Sequence, residues 1–485
     1  MTIAFPDLRR PQYPSSPEVL LSALAWSTIP RIPEKQGTGL IYERRPGSGT
    51  PKVAIEATKP AGKDLEAFCH ALHSAGIQDS RGQVSRALGE AVANSLEGGL
   101  PLKGVGVASS AVGIAGALLQ DPIGGLGVAR PPNFAHLINT IYSLGGSESS
   151  LTASHLWFDA AQFHAASKRF APIEQALAAS VLSPYIDHAG PWPPSSPLLL
   201  PGAMPSQAPR WWADDVIAAG VATPFSWFRS SWDRLCSPAW YEQLPPRRWA
   251  SWSICLLRHA LAFTFLWEAN FYYELAKGVV DRLNDPLTVT RWALVPVRPL
   301  IPYRSGTVSQ MNVQPTIKRM LEIGLGCMKA LEPISEVPAA SAGSLADLIN
   351  LLRESIDEPQ REQLMVALSG AGDTSGMNNL LETVRYSLLA RESADQPDNY
   401  GLLRTVSRRF FHVAPGPEWI VVMSAMSASS PGAVVRLGDV MQNLRALGFQ
   451  PRIDFLLGQL ERAGLCASAP DGDEGIEINL GFGGE

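Results

Sequence analysis

Cys69-His70 and His73 place a thiol and two imidazoles close together in the chain. Such groups hold zinc when a second pair follows at metal-site spacing. No second pair of soft ligands follows, and His70 and His73 stand three apart on a predicted helix, so no metal ligand is assigned. His155 and His164 are nine residues apart. At 3.6 residues per turn that is about two and a half turns, which sends them to opposite sides of one helix. Gly47-Ser48-Gly49-Thr50-Pro51-Lys52 has small residues and a lysine but not the G-x-x-x-x-G-K-[ST] spacing of a phosphate loop. Gly104-Val105-Gly106 lacks the third glycine of a dinucleotide fingerprint. No G-x-S-x-G elbow occurs, and Asp373-Thr374-Ser375-Gly376 reads as a single loop. No catalytic residue and no cofactor are assigned.

One pattern resembles an enzyme class. Nucleases of the PD-(D/E)xK kind set an acid and a lysine two apart on a strand, so that both face a metal ion. Glu56 and Lys59 are three apart, and a regular strand sends them to opposite faces. With Glu43 they define the enzymatic alternative, a metal-dependent nuclease with a divergent site.

Two stretches could hold phosphates. From Pro286 to Leu321 the chain carries Arg291, Arg298, Arg304, Lys318 and Arg319 with no acid, and Trp292 and Tyr303 lie among them. Basic residues interleaved with aromatics can bind a backbone and stack bases. Arg404, Arg408 and Arg409, with His412, make a second cluster on a helix expected over 397–411. The bland readings are a strand pair whose arginines meet carboxylates, and a helix C-terminus favoured by cations. The net charge of −5 supplies no global field for nucleic acid or an anionic membrane, so any such contact must be local.

The elements that must position these groups read as mainly helical. Residues 1–60 form an arm and a hairpin, Gly39–Arg45 and Lys52–Thr58 around a Gly/Pro turn. Helical patterns follow at about 62–76, 80–96 and 106–120, then over 150–182, within a helical domain at 61–190. The stretch Gly104–Gln120 is read as a buried small-residue helix, too short and too poor in large apolar residues to span a membrane. Seven prolines between Pro191 and Pro209 mark a linker or long loop. A Trp/Arg-rich mixed domain is expected at 210–335, with a long helix at 250–283 and another at 314–332. Nine of the thirteen tryptophans lie between Trp211 and Trp292, and large aromatics at such spacing fill cores. Pro338–Ser344 is read as a separator before a helical region at 344–412, in which Ser344 and Asp357 start helices. Pro415-Gly416-Pro417 is a firm break.

After that break, Trp419, Ile420, Met423 and Met426 share one helical face, as do Leu437, Val440, Met441, Leu444 and Leu447. Ile453, Leu456, Leu457 and Leu460 repeat the spacing in a third helix over 451–465. Cys466–Ala469 and Ile476–Leu480 are expected to pair around an Asp/Gly-rich tip. This order, with Leu460–Leu465 leading into a strand, resembles a winged helix-turn-helix module over about residues 417–482. In DNA-binding members the third helix enters the major groove. Here residues 417–485 hold four basic groups (Arg436, Arg445, Arg452, Arg462) against nine acids. Approach to a phosphate backbone would cost electrostatic energy.

The five scattered cysteines suit a reducing cytoplasm rather than a disulfide framework. The expected protein is mainly α and multidomain, with a small N-terminal β element and a C-terminal winged-helix-like domain. Its expected role is a non-enzymatic adaptor or structural subunit of a multiprotein complex, with a protein partner, nucleic acid as an open second partner, and no membrane. Genome maintenance or phage defence in a prokaryote is the setting its overall character suggests. A DNA-binding transcriptional regulator using Arg452 stands as a further alternative.

Overall fold

The computed structural model describes residues 8, 17–30, 42–44, 51–53, 62–78, 86–95, 97–101, 107–109, 112–119, 134–147, 149–168, 170–183, 185–187, 190–197, 204–205, 211–218, 220–281, 285–288, 299–301, 312–391, 397–406, 410–466 and 476–481. Among them the chain is mainly helical, with four two-stranded antiparallel sheets. The N-terminal part runs α1 (Glu18–Thr28), β1 (Tyr42–Arg44), β2 (Pro51–Val53), α2 (Gly62–Ser74), α3 (Arg86–Ser95), β3 (Glu97–Pro101), β4 (Val107–Ser109) and α4 (Gly113–Leu118). Then come α5 (Phe134–Leu144), α6 (Ala153–Ala165) and α7 (Ala171–Ala179).

The expected hairpin is present as β1 and β2, with Glu43 opposite Lys52. α3 is described over Arg86–Ser95, within the expected 80–96. The expected helix at 106–120 is corrected: that stretch holds strand β4 and the buried turn-and-a-half of α4. β-Branched Val107 at the start of β4 favours a pleated strand over a helix.

The centre is built on α11. α8 (Trp211–Ala218), α9 (Pro224–Leu235) and α10 (Pro238–Tyr241) lead into α11 (Pro246–Val280), 35 residues long. A proline at its first position and no further Gly or Pro before Gly278 let it run unbroken. At 1.5 Å per residue it spans about 50 Å. It is buried on almost every face because α1, α5, α9 and the helices that follow pack around it. Trp227, Trp232, Trp240, Trp249, Trp252 and Trp267 are all fully buried core residues. Trp232 Nε1 donates to Ala153 O at 3.0 Å and Trp249 Nε1 to Leu235 O at 3.0 Å, so the indoles also tie α9 to α6 and α11 to α9. No helix among the described residues is long and apolar enough to cross a membrane.

Next are α12 (Gln314–Ser341), α13 (Leu345–Ser355), α14 (Glu358–Ser369) and α15 (Met377–Leu388). The expected separator at Pro338–Ser344 is corrected: α12 carries Pro333 and Pro338 inside it and ends only at Ser341. A proline removes one N–H bond, a loss that a long helix packed on α11, α14 and α15 can absorb. The start signals do hold. Ser344 Oγ accepts from Asp347 N at 3.1 Å, and Asp357 and Gln360 form a reciprocal box.

The expected helix at 397–411 is also corrected. The chain there forms a hairpin, β5 (Leu403–Val406) paired with β6 (Phe410–Val413), in the register Leu403↔Val413 and Thr405↔Phe411. β-Branched Thr405, Val406 and Val413 with aromatic Phe410 and Phe411 outweigh the helical spacing of Arg404 and Arg408. Last come α16 (Pro417–Ala425), β7 (Val435–Arg436), α17 (Leu437–Leu447), α18 (Ile453–Arg462) and β8 (Glu477–Ile478). β8 pairs antiparallel with β7, a strand the sequence pattern did not announce. The expected partner Cys466–Ala469 lies outside the described residues apart from Cys466. Buried residues from Leu8 to Ile478 form one continuous apolar cluster.

Candidate functional site

Of the candidate cations, Arg291, Arg298, Arg304, Arg408 and Arg409 lie outside the described residues, as do Glu56 and Lys59 of the nuclease pattern. Lys318 and Arg319 are on α12. Lys318 Nζ pairs with Glu322 Oε1 at 3.4 Å, and the Arg319 guanidinium donates to Ser369 O at the end of α14. Arg404 is on β5 opposite His412, so it does not share a helical face with Arg408. Arg452 caps α18, with Nε 3.1 Å from Asp454 Oδ1 in an exposed ion pair.

The structure brings the two basic stretches together. Val313 N donates to Phe411 O at 2.8 Å, and Phe411 N donates to Asn312 Oδ1 at 3.1 Å. The start of α12 is thereby fixed against β6. Beside this junction lies a shallow dimple with room for about one water, lined by Gln314 and Ile317 of α12, Leu381 and Arg385 of α15, Leu403 and Phe411. Its lining residues are apolar except for Gln314 and Arg385. That guanidinium carbon stands 5.2 Å from the Phe411 ring centroid and 4.8 Å from that of Tyr386. Nη2 donates to Tyr386 Oη at 3.2 Å, whereas Nε is buried with no partner among the described residues. Arg385 is absent from the sequence-derived candidates because nothing local marks it on an amphipathic helix.

The terminal helices are docked on the central body. Trp419 of α16 is fully buried, and its Nε1 donates to His259 Nε2 at 2.8 Å. That fixes the tautomer: His259 Nδ1 carries the proton and donates to Cys255 O at 2.8 Å. Burial, reinforced by the Arg258 charge, lowers the His259 pKa to about 3. The imidazole is therefore a neutral bridge between α11 and α16. Further ties are Arg248 with Glu418 at 3.5 Å, Arg234 donating to Met426 O, and Leu300 N donating to Gly448 O at 2.9 Å.

One turn of α11 also carries Arg258, 2% exposed, paired with Asp398 Oδ2 at 2.8 Å. Arg258 Nη2 donates to Leu389 O at 2.7 Å, and Asp398 accepts from Arg391 N at 3.1 Å and Tyr400 N at 3.0 Å. Burial pushes the Asp398 carboxyl up, but the guanidinium and these N–H donors outweigh it and hold the pKa below the usual carboxylate value. Both charges are satisfied, so this is a buried lock between α11 and the segment before β5.

Two arrangements have nucleophile-like composition. Cys255 Sγ lies 3.8 Å from His259 Nδ1, but that nitrogen already donates to a carbonyl, and burial raises the thiol far above its ordinary value. It does not form a thiolate pair. Ser375 Oγ receives a hydrogen bond from Lys329 Nζ, which also donates to Ser375 O at 2.7 Å and pairs with Asp373 Oδ2 at 3.0 Å. An ammonium that donates to the hydroxyl is not its base. Among the described residues no group of three or more His, Cys, Asp or Glu side chains is placed to hold a metal ion. No protein family, curated protein or solved structure matches the chain.

Proposed function

We propose that this chain is a non-enzymatic adaptor or structural subunit of a multiprotein assembly, and that residues 417–485 form a winged-helix-like module that meets protein rather than duplex. The order α16, β7, α17, α18, β8, with β7 and β8 antiparallel, supports the winged-helix reading. The observation that carries the functional reading is the state of Arg452. It opens the helix that would enter a groove, yet it is paired to Asp454, and the same helix ends in Glu461-Arg462. Such an edge offers little to release counterions from a phosphate backbone. The first helix, meanwhile, is anchored inward through Trp419. A reducing cytoplasm fits the free cysteines, of which Cys236, Cys255 and Cys327 are buried.

The test pairs two measurements on the full chain. In a gel shift with a labelled duplex at low salt, wild type and Arg452→Ala are expected to behave alike. Native purification followed by mass identification is expected to recover a stoichiometric polypeptide companion. A salt-dependent shift lost in Arg452→Ala would overturn the proposal in favour of a DNA-reading regulator. Metal-dependent DNA cleavage abolished by Lys59→Ala would overturn it in favour of a nuclease.

A further inference from the structure

We infer that the outward face of α14 docks a basic amphipathic segment of a partner polypeptide. Its apolar side chains cover Met365 and Val366 while its cations meet Glu358 and Glu362. This rests on the reading of the chain as a protein-binding adaptor and names the surface and the partner's chemistry.

The sequence of α14 is the first observation. Its second half reads Leu364-Met365-Val366-Ala367-Leu368, apolar at every position. Such a run passes right round a helix of about 3.6 residues per turn. A helix that is apolar on all sides belongs in an interior, yet this one is covered on one side only. Leu364 and Ala367 are buried where α14 packs on α11 and α12, whereas Met365 is 55% exposed and Val366 43%. They are the one adjacent pair among the large apolar residues exposed in the described part of the chain. Single exposed apolar residues need no explanation, but a contiguous pair on such a helix marks a contact surface. Met365 suits that role, because an unbranched thioether adapts its shape to what covers it.

The charges decide the occupant. Arg353 of α13 and Arg361 of α14 are turned inward. Arg353 Nε donates to Gly278 O at 2.9 Å and Nη2 to Asp281 O at 2.8 Å, and Arg361 Nη2 donates to Val280 O at 3.1 Å. These cations cap the last carbonyls of α11, where the helix dipole favours them. What remains outside is of one sign. Glu354, Glu358 and Glu362 are exposed, and no cation among the described residues forms an ion pair with them. Glu358 and Glu362 stand one turn apart, a like-charge spacing that costs a helix stability, and Met365 and Val366 continue the same stripe. A lysine or arginine laid beside the two glutamates relieves that repulsion. A second copy fits less well, since a two-fold contact would set these glutamates against themselves. A phosphate backbone is repelled for the same reason.

The probe is a fluorescein-labelled fourteen-residue peptide of leucine and lysine with its leucines on one helical face. Binding to the full-length protein is read by fluorescence anisotropy. Wild type is expected to bind it, and Met365→Gln with Val366→Gln to weaken binding by about tenfold or more, the scale of uncovering two apolar side chains. Glutamine keeps helix propensity, and thermal melting checks that the variant is folded. Glu358→Gln with Glu362→Gln should weaken binding at low salt and matter less at high salt. Glu242→Gln, at an exposed acid outside α14, should leave binding unchanged. A peptide of the same composition with its leucines spread round the helix should not bind wild type. Equal binding by wild type and the folded Met365/Val366 variant, equal binding of the spread peptide, an equal loss in Glu242→Gln, or no binding by wild type would overturn the inference. So would concentration-dependent dimerisation in sedimentation that is lost in the Met365/Val366 variant, which would assign the face to a second copy. Each of these results leaves the companion polypeptide and the gel shift to judge the adaptor reading separately.

Discussion

Trp419 and His259, 160 residues apart in the chain, share one buried hydrogen bond of 2.8 Å from indole Nε1 to imidazole Nε2. The bond joins the first terminal helix to the central helix at a point where both side chains are fully buried. Trp419→Phe keeps the ring in place but removes the donor, leaving His259 Nε2 without a partner. An orphaned buried acceptor costs about 1–3 kcal/mol. Urea denaturation should show that loss, with His259→Phe in the same background recovering part of it.

The same histidine makes stability depend on acid. Its pKa is about 3 in the folded chain, against an ordinary value of 6.5, because burial disfavours the charged ring. The unfolded chain therefore takes up a proton first as pH falls. Stability from this group is complete above 6.5 and is lost progressively as pH drops toward 3. Denaturation midpoints compared between pH 7 and pH 4 should fall less for His259→Phe than for wild type.

Glu174 works in the opposite direction. It is fully buried on α7, where Oε2 accepts from Ala115 N at 2.8 Å and from Trp192 Nε1 at 3.1 Å. Burial outweighs these donors and raises its pKa from 4.5 to about 7. The folded state then holds a proton that the unfolded chain has released, so this contribution is present below pH 4.5 and disappears as pH rises through about 7. Glu174→Gln should flatten the stability profile between pH 5 and pH 8. Gly113 faces the same carboxylate at φ +76°, and a Cβ there would stand 2.1 Å from Glu174 Oε1. Gly113→Ala should therefore destabilise at every pH, by about 1–3 kcal/mol.

How much of this was legible depended on whether the signal was local. The long helix over 250–283 could be read because apolar residues without Gly or Pro leave no other element, and the buried tryptophans followed from their size. The helices begun by Ser344 and Asp357 were legible from capping chemistry alone. The β5–β6 hairpin was not, since Leu402, Leu403, Phe410 and Phe411 fit a helical period as well as a pleated one. Strand pairing decides between them, and that depends on Asn312 and Val313, almost a hundred residues away. The two basic stretches were found separately, but their junction is a tertiary fact. Arg385 had no signal at all, because its place beside the Phe411 and Tyr386 rings is set by the tertiary fold.

The Arg258–Asp398 pair should be strongly non-additive. Both side chains are 2% exposed, so neither charge can turn to water if its partner is removed. Breaking a buried pair from one side costs about 3–5 kcal/mol. Arg258→Met and Asp398→Ala should each show a loss of that order by chemical denaturation. The double variant should lose clearly less than the two singles combined, because no uncompensated charge remains. Additive losses would mean that the two groups act independently.

Identical substitutions at two helical glycines should have opposite signs. Gly324 lies on α12 where it crosses α11, and a Cβ there would come within 2.5 Å of the Cα, Cβ and O atoms of Ala269. Backbone stands on the other side, so no side chain can swing away, and the two helices must separate. Gly458 lies on α18, where a Cβ would meet only the Arg462 Nη2 atom at 3.9 Å. Replacing glycine by alanine inside a helix is worth about 0.5–1 kcal/mol when space allows, because the unfolded chain loses freedom and the helix gains propensity. Gly458→Ala should therefore raise the denaturation midpoint by that amount. Gly324→Ala should lower it, by about 1–3 kcal/mol of overpacking less the helical gain. If Gly324→Ala stabilised the protein as Gly458→Ala does, α11 and α12 could not approach as closely as described here.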